Sequence, residues 1–403
     1  MHYTKPNILF YRIAQIASWF VATFVFKRKI LRNEIKGKKG PFVVIANHQA
    51  MLDFVNLIGF RSRPMSFVIS NSIYNSLPLT RFMDKMGVIP KQQFQTTLKD
   101  MKRMKAVIKH DEALVIYPAG LMCEDGLSTP IPQATYKFLK WLDADVYVAR
   151  TSGTYFAMPK WTSGVRSGRT FMDVYKLFSK EELAELDLET VKEKTDEALL
   201  FDAYREQEQL RVKYKNNDNI EGLEHVLYQC PHCGSEYTLQ VKDKHTIFCT
   251  QCGFEQSSDK YGFLHNNGGI GEELRYVSDW SKYIYRSMKE QIEGGLQCEL
   301  SCDTEFHMID FKSHKYVPVG QGSVYLCKTH FQIEGQLHGE PVSLSVPIEN
   351  IPALPFSPGR YLEIQHGNNI YRCVLSDGRL VMKFINMIKI FHELHTLNAI
   401  PAT

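Results

Sequence analysis

The chain opens on an apolar run, Ile8 to Phe26, interrupted by Arg12, Gln15 and Ser18 at three-residue spacing. Residues three apart share a helical face, so the run predicts a helix with its polar side chains gathered on one side. Nineteen residues make about 28 Å of helix, the lower limit for crossing a bilayer. The polar face favours a helix lying in the membrane interface, apolar side down; a single span and a buried core helix remain open. After Pro41 the periodicity changes. Phe42 to Ala46 is a short continuous run rich in β-branched residues, the mark of a strand buried on both faces. Similar runs recur at Ser66–Ser70, Ala113–Tyr117 and Ala144–Ala149, separated by amphipathic stretches at Thr97–Lys109 and Pro132–Leu142. Strands alternating with helices predict an α/β domain. Residues 179–213 are charged and helix-favouring and open with Ser179 and Glu182 in capping-box spacing. An Asn-rich polar linker follows at Lys215–Gly222. Beyond it the pattern gives a compact unit from Tyr228 to about Leu264, a helical connector around Tyr276–Ile292, and a run of short strands closed by an amphipathic helix at Arg379–His395.

Charge sharpens the first segment. The whole chain carries 48 Lys plus Arg against 44 Asp plus Glu, a formal +4. Residues 1–40 contain nine basic side chains and one acid, Glu34, so this segment carries +8 and the remainder −4. A uniformly basic nucleic-acid binder is excluded, and no nucleic acid is expected among the partners. The basic flank Lys27–Lys39 suits anionic headgroups. By the positive-inside rule it would keep the body of the protein on the cytoplasmic face of the cell membrane. No small-residue cleavage site follows the apolar run, and the nine cysteines include two C-x2-C pairs, which predicts a reducing setting.

His48 follows the first buried strand directly, and Asp53 stands five residues later. A neutral imidazole can take a proton from a hydroxyl near neutral pH, and a carboxylate on its other nitrogen fixes the tautomer and stabilises the imidazolium. Alone, the pair also reads as the start of a capped helix. Downstream, in order, stand Gly87-Val88-Ile89-Pro90-Lys91, then Tyr117-Pro118-Ala119-Gly120, then Val146-Tyr147-Val148-Ala149-Arg150.

With these blocks the sequence resembles the glycerolipid acyltransferases, the 1-acylglycerol-3-phosphate O-acyltransferase-like family, whose motifs run NHx4D, GxIxxxR, FPEG and VPV. The resemblance covers about residues 5–210. It implies an α/β acyltransferase domain with a mixed sheet flanked by helices. It also implies His48 as general base, Asp53 as its orienting partner, and substrate-binding roles for Asn47, Gly87, Lys91, Gly120 and Arg150. Backbone amides near His48 or Gly120 are expected to hold the oxyanion. Three departures stand out. The family's second-block Arg has no clear equivalent, Lys91 being the nearest cation, with Arg81 and the Lys99–Lys109 basic helix as alternatives; Ala119 replaces the third-block Glu, with Glu124 or Asp125 as stand-ins; and Tyr147 replaces the fourth-block Pro. The implied activity is transfer of a fatty acyl group to a hydroxyl of lysophosphatidic acid or a related lysolipid in phospholipid synthesis. Acyl-CoA or an acyl-[acyl carrier protein] is the implied donor and membrane phospholipid a partner. The departures motivate an alternative, a catalytically altered relative that binds lipid and acts as a membrane tether or regulator.

Cys230-x2-Cys233 and Cys249-x2-Cys252 each precede a glycine, Gly234 and Gly253, whose tolerance of positive φ lets the backbone wrap a metal. Four thiolates at this spacing predict a closed, structural Zn²⁺ site. His232 and His245 are read as bystanders, and Cys123, Cys298, Cys302, Cys327 and Cys373 as core thiols. The segment resembles a zinc ribbon, and the strands and closing helix after it resemble a pleckstrin-homology-like or GRAM-like domain. The expected organisation is therefore a membrane-interfacial helix and basic flank (1–40), the acyltransferase domain (41–215), a small zinc ribbon (226–265), a helical connector (266–298) and a β-rich pleckstrin-homology-like domain (299–403).

Overall fold

The computed structural model describes residues 4–60, 63–93, 97–266, 270–295, 299–367 and 369–398. Cys298 lies outside the described residues. The chain divides between Asn217 and Asp218 into two units, each described separately below.

In the first unit the apolar runs form a seven-stranded sheet. Its strands are β1 (Lys29–Asn33), β2 (Phe42–Ala46), β3 (Met65–Ser70), β4 (Ile89–Lys91), β5 (Ala113–Ile116), β6 (Asp145–Ser152) and β7 (Phe171–Phe178). They lie in the order β1-β7-β6-β2-β5-β3-β4. β6, β2, β5, β3 and β4 run parallel, β7 runs antiparallel to β6, and β1 lies parallel to β7. The sheet is therefore mixed. The helices are α1 (Ile8–Phe20), α2 (Asp53–Ile58), α3 (Asn71–Ser76), α4 (Thr80–Lys85), α5 (Leu98–Lys109), α6 (Ala134–Leu142), α7 (Thr154–Ala157), α8 (Lys180–Glu185), α9 (Leu188–Leu199) and α10 (Ala203–Leu210).

Alternation along the strands gives the sheet two apolar faces. Phe42, Val44 and Ala46 of β2 join Ala113, Val115, Tyr147 and Ala149 on one face, against Tyr11 of α1, Leu57 and Ile58 of α2 and Phe82 of α4. Val43, Ile45, Leu114, Val146 and Val148 make the other, covered by Met104, Val107 and Ile108 of α5, by α6, and by Val191 and Ala198 of α9. With both faces covered, β2 is buried throughout, as its unbroken apolar run requires.

The first helix is amphipathic in the opposite sense to an ordinary surface helix. Tyr11, Gln15 and Ser18 are buried against the protein, while Ile8, Leu9, Ile13, Ile16, Phe20 and Phe24 face outward, Ile16 at 68% exposed. Arg12 is exposed and donates to Gln15. The polar face expected to meet water or headgroups thus meets the protein instead. Gly59, at the end of α2, permits the close packing: a Cβ there would lie 3.0 Å from the Trp19 nitrogen. The helix continues through a wider turn over Val21–Val25, and Ile8–Val25 is long and apolar enough to cross a membrane.

Three cations of the basic flank are occupied inside the unit. Arg28 donates to Asn56 O and Gly59 O at the end of α2, and burial lowers its pKa to about 10. Arg32 forms a two-point bond with Asp173, and Lys38 pairs with Asp145 at 3.0 Å. Lys27, Lys29, Lys36 and Lys39 remain exposed.

The second unit holds two antiparallel sheets. β8 (Leu239–Lys242), β9 (Thr246–Cys249), β10 (Glu255–Ser258) and β11 (Leu264–His265) make the smaller. After α11 (Val277–Glu293) come β12 (Leu300–Asp310), β13 (Lys315–Leu326), β14 (His330–Leu337), β15 (Glu340–Pro347), β16 (Phe356–Ser357), β17 (Tyr361–His366) and β18 (Asn369–Leu375), closed by α12 (Val381–Asn398). These seven strands form one sheet in the order β15-β14-β13-β12-β18-β17-β16. The segment that leads into the small sheet is tied to both helices. Trp280 Nε1 of α11 donates to Gln229 O at 2.9 Å, and Lys383 and Asn386 of α12 reach Glu236 and Tyr228.

Candidate active site

Parallel strands β2, β5, β3, β4 and β6 end at one edge of the first sheet, where the carboxyl ends of such strands ordinarily hold ligands. His48 lies just past the end of β2, Tyr117 to Gly120 past β5, and Lys91 ends β4.

Asn47 locks the end of β2 to β6: its Nδ2 donates to Thr151 O and its Oδ1 accepts from Thr151 N, both at 2.8 Å. The chain then turns, and Asp53, 1% exposed, begins α2. Its Oδ2 accepts from Gln49 N at 2.7 Å and Ala50 N at 2.9 Å and lies 3.0 Å from His48 Nδ1. This oxygen already accepts two amide protons, so His48 Nδ1 is its third donor, and in the neutral imidazole Nε2 then carries the lone pair. The half-buried imidazole packs on the Tyr117 ring, centroids 4.6 Å apart. Burial and the Asp53 charge both push the Tyr117 phenol well above its usual value, so it stays protonated.

Two further bonds join the sequence blocks. Gln93 Nε2 donates to Gly120 O at 2.7 Å, and Cys123 N donates to His48 O at 3.3 Å. Below them Gln49 Oε1 accepts from Thr154 Oγ1 and Tyr155 N. Lys91 is half-buried, with Nζ on Gln92 O at 3.0 Å. Burial lowers its pKa, while nearby Asp100 opposes the shift.

Not every nominated residue joins His48. Gly87 precedes β4 and so sits at the opposite edge of the sheet, in a left-handed turn where a Cβ would strike the Pro6 ring at 2.7 Å. Arg150 pairs with Glu206 at 2.7 Å and leans on Ala198 O, on the α5 face of the sheet rather than the α2 face. The Asn47 amide is occupied by Thr151, which makes this residue a brace between strands. Of the amides near His48 and Gly120, those of Gln49 and Ala50 are taken by Asp53 and that of Gly120 by Tyr117 O. Asp125 Oδ1 accepts from Leu127 N, whereas Glu124 is buried.

Tyr117, Gln49, Gln93 and Cys123 support the site without having been nominated from sequence. Tyr117 stood inside the third block and Gln49 beside His48, so proximity was the available signal. Nothing local marks Gln93 or Cys123.

In the second unit the Sγ atoms of Cys230, Cys233, Cys249 and Cys252 all lie within 4.8 Å of one another. The Cys230–Cys252 and Cys233–Cys249 separations are both 3.8 Å. Zinc–sulfur bonds of about 2.3 Å in a tetrahedron place sulfurs about 3.8 Å apart, so the four residues fit zinc. Gly234 and Gly253, both at positive φ, each return an amide to the first cysteine carbonyl of their pair at 3.0 Å. The Ser235 hydroxyl draws the Cys233 thiol down to about 6. His232 stacks on Phe254 and His245 bonds Asp218 O. Cys123, Cys302 and Cys373 are buried, and Cys327 is half-buried.

Among solved structures, the chain is similar to the crystal structure of the 1-acyl-sn-glycerophosphate (LPA) acyltransferase PlsC from Thermotoga maritima. The identity is 15% and the TM-score 0.41, over 50% of this chain and 78% of that one. A second match is the Ran binding domain of the nuclear complex component Nup2 from Ashbya gossypii, at 9% identity and a TM-score of 0.20, over 24% of this chain and 96% of that one. Residues 13–156, the segment that carries β2, the His48–Asp53 pair, Lys91 and Gly120, match the model of the Acyltransferase family.

Proposed function

We propose that the chain is a membrane-surface O-acyltransferase that moves a fatty acyl group from an acyl thioester to a hydroxyl of lysophosphatidic acid or a related lysolipid. The observation that carries this reading is the Asp53 Oδ2–His48 Nδ1 bond, which in the neutral imidazole leaves Nε2 as the base. His48 Nε2 takes the acceptor's hydroxyl proton as the oxygen attacks the thioester carbon. The new C–O bond forms, the C–S bond breaks, and the imidazolium returns the proton to the departing sulfur. Asp53 stabilises the imidazolium throughout. Lys91, at the same strand edge, is the candidate anchor for an anionic headgroup, and as a point charge it would hold phosphate with less directional preference than an arginine fork.

The family match over residues 13–156 supports acyl transfer, and the outward apolar face of α1 supports an interfacial position for this helix. Exposed Met51 and Phe54 near His48 and Leu77 and Leu79 before α4 extend the apolar surface, which suits entry of an acyl chain from the bilayer. With Lys27, Lys29, Lys36 and Lys39 toward anionic headgroups, the reading puts the protein on the cytoplasmic face of the cell membrane. The four cysteines would hold a structural Zn²⁺ that fastens the small sheet of the second unit. Its seven-stranded sheet and closing helix are read as a pleckstrin-homology-like accessory domain.

The alternative, a lipid-binding tether without turnover, is favoured by Ala119 and by the occupied Arg150. Acyl transfer to lysophosphatidate in detergent, compared across wild type, His48→Ala and Asp53→Ala, separates the two. Wild-type turnover lost in both variants supports the enzyme; undiminished turnover in both variants, or vesicle binding without any wild-type turnover, refutes it.

A further inference from the structure

We infer that the outer face of α5 is the docking surface for an acidic, water-soluble carrier protein that delivers the acyl thioester. This rests on the acyl-transfer reading above. α5 carries Lys99, Lys102, Arg103, Lys105 and Lys109 against a single acid, Asp100. Asp100 is buried and turned to the helix start, where its Oδ2 accepts from Thr97 N and Thr97 Oγ1. Met104, Val107 and Ile108 face the core. Lys105 points toward α6, with Nζ 2.7 Å from both Trp141 O and Leu142 O. Lys99, Lys102 and Lys109 are left on the outside, and none of them pairs with a carboxylate among the described residues. Leu98, 74% exposed, and Trp141, 43% exposed, flank them.

A run of lysines on a helix is ordinarily just a solvated face. Two placements set this one apart. First, α5 follows β4, whose last residue ends at the His48 edge, and Arg103 Nη1 reaches back to Pro90 O at 3.3 Å. The basic face therefore starts at the sheet edge that carries Lys91, with β3 and β5 between β4 and the strand that delivers His48. Second, α5 covers the sheet face opposite to the one that α1 covers. A bilayer met by the apolar face of α1 leaves α5 turned toward water, away from headgroups. The lysolipid acceptor and the thioester donor would then approach from opposite sides of one sheet edge.

The chemistry of the surface selects a protein over a small anion. From Leu98 to Lys109 it spans about 16 Å, and it combines exposed apolar and aromatic side chains with cations, the composition of an interface that pairs a charged rim with an anchor. Complementary charge of this kind acts mainly on encounter.

The test uses the full-length protein in detergent, lysophosphatidate as acceptor, and one acyl group offered three ways: on acyl carrier protein, as a coenzyme A thioester and as an N-acetylcysteamine thioester. Wild type is compared with the triple variant Lys99→Glu, Lys102→Glu, Lys109→Glu. Its kcat/KM for the carrier-borne donor falls about tenfold or more, while the uncharged N-acetylcysteamine donor reacts at the wild-type rate. Raising salt from about 50 to about 300 mM slows wild type with the carrier-borne donor and leaves the variant nearly unchanged. Equal loss on all three donors, no loss on any, or a loss on coenzyme A as large as that on the carrier overturns the inference. So does a variant that keeps carrier-dependent turnover but no longer binds anionic vesicles, because α5 would then face the bilayer. If wild type transfers from none of the donors, the acyl-transfer reading fails and this inference falls with it.

Discussion

Asp53 Oδ2 accepts the His48 Nδ1 proton and the amide protons of Gln49 and Ala50 at once, the three donors lying 2.7 to 3.0 Å away. One oxygen thus fixes both the imidazole and the turn that carries it, and the other, Oδ1, is buried without a hydrogen-bond partner among the described residues.

Asp53→Asn keeps the size of the side chain and removes its charge. The amide can still accept from the Gln49 and Ala50 amides, but it no longer stabilises an imidazolium. kcat should fall about 10³-fold or more. Adding His48→Ala on top should cost little further, because the pair acts as a unit. Steady-state rates of the two single variants and the double variant check this; additive losses would separate the roles of the two residues.

Asn47→Ala tests the brace. Removing the amide leaves Thr151 N and Thr151 O, at the end of β6, without their side-chain partner in a buried place, at a cost of about 2–3 kcal/mol. Urea unfolding should show a lowered midpoint, and turnover should fall with little change in KM. An unchanged midpoint with a raised KM would restore Asn47 to substrate binding.

The parts of the fold readable from the chain were those coded locally. Phe42–Ala46 is buried on both faces because five successive apolar residues leave no solvent side, and Ser179 with Glu182 does form the capping box that its spacing announces. Gln15 and Ser18 share a face as their three-residue spacing requires, yet spacing cannot say what that face meets; the answer depends on α2, some forty residues on, where Gly59 allows close approach. The partners of Arg150 and Gly87 were hidden for the same reason. Glu206 and Pro6 are distant in sequence, and only the topology brings them there.

The outward face of α1 predicts a separation of binding from stability. Ile13→Gln with Ile16→Gln changes two exposed side chains that touch little of the core, so unfolding should shift by less than about 1 kcal/mol. Vesicle association should drop sharply, each buried side chain of this size contributing about 1.5–3 kcal/mol. Co-sedimentation with anionic vesicles measures the second effect. Full binding by the double variant would remove α1 from the membrane contact.

Lys91 gives a pH dependence. Burial disfavours its charged form, so it loses its proton at a lower pH than an exposed lysine. For a phosphate-bearing acceptor, KM should begin to rise as pH climbs toward, but still below, the ordinary lysine value of about 10.4. Lys91→Arg stays charged and should abolish the rise. The fold gains stability over the same window, because the unfolded chain holds this proton to higher pH than the folded one. A KM profile identical in Lys91 and Lys91→Arg proteins would exclude Lys91 from the headgroup.

Zinc removal should loosen more than the cysteine knuckles. Phe254, one residue past Gly253, packs its ring 5.7 Å from that of Trp280, and Trp280 holds Gln229 O just before Cys230. On the other side Glu236 and Tyr228 hold α12. A chelator that takes the metal breaks the tetrahedron on which these contacts converge, since a segment this small lacks the core to stay folded without it. Hydrogen exchange should therefore quicken in β8 to β10 and, by a smaller factor, in α11 and α12, while β2, β5 and β6 keep their protection. Freshly purified protein should contain about one zinc per chain, and Cys249→Ser should lose the metal and reproduce the exchange pattern without chelator. Metal content well below one equivalent in untreated protein would instead leave the four thiols as a folded cluster that needs no ion.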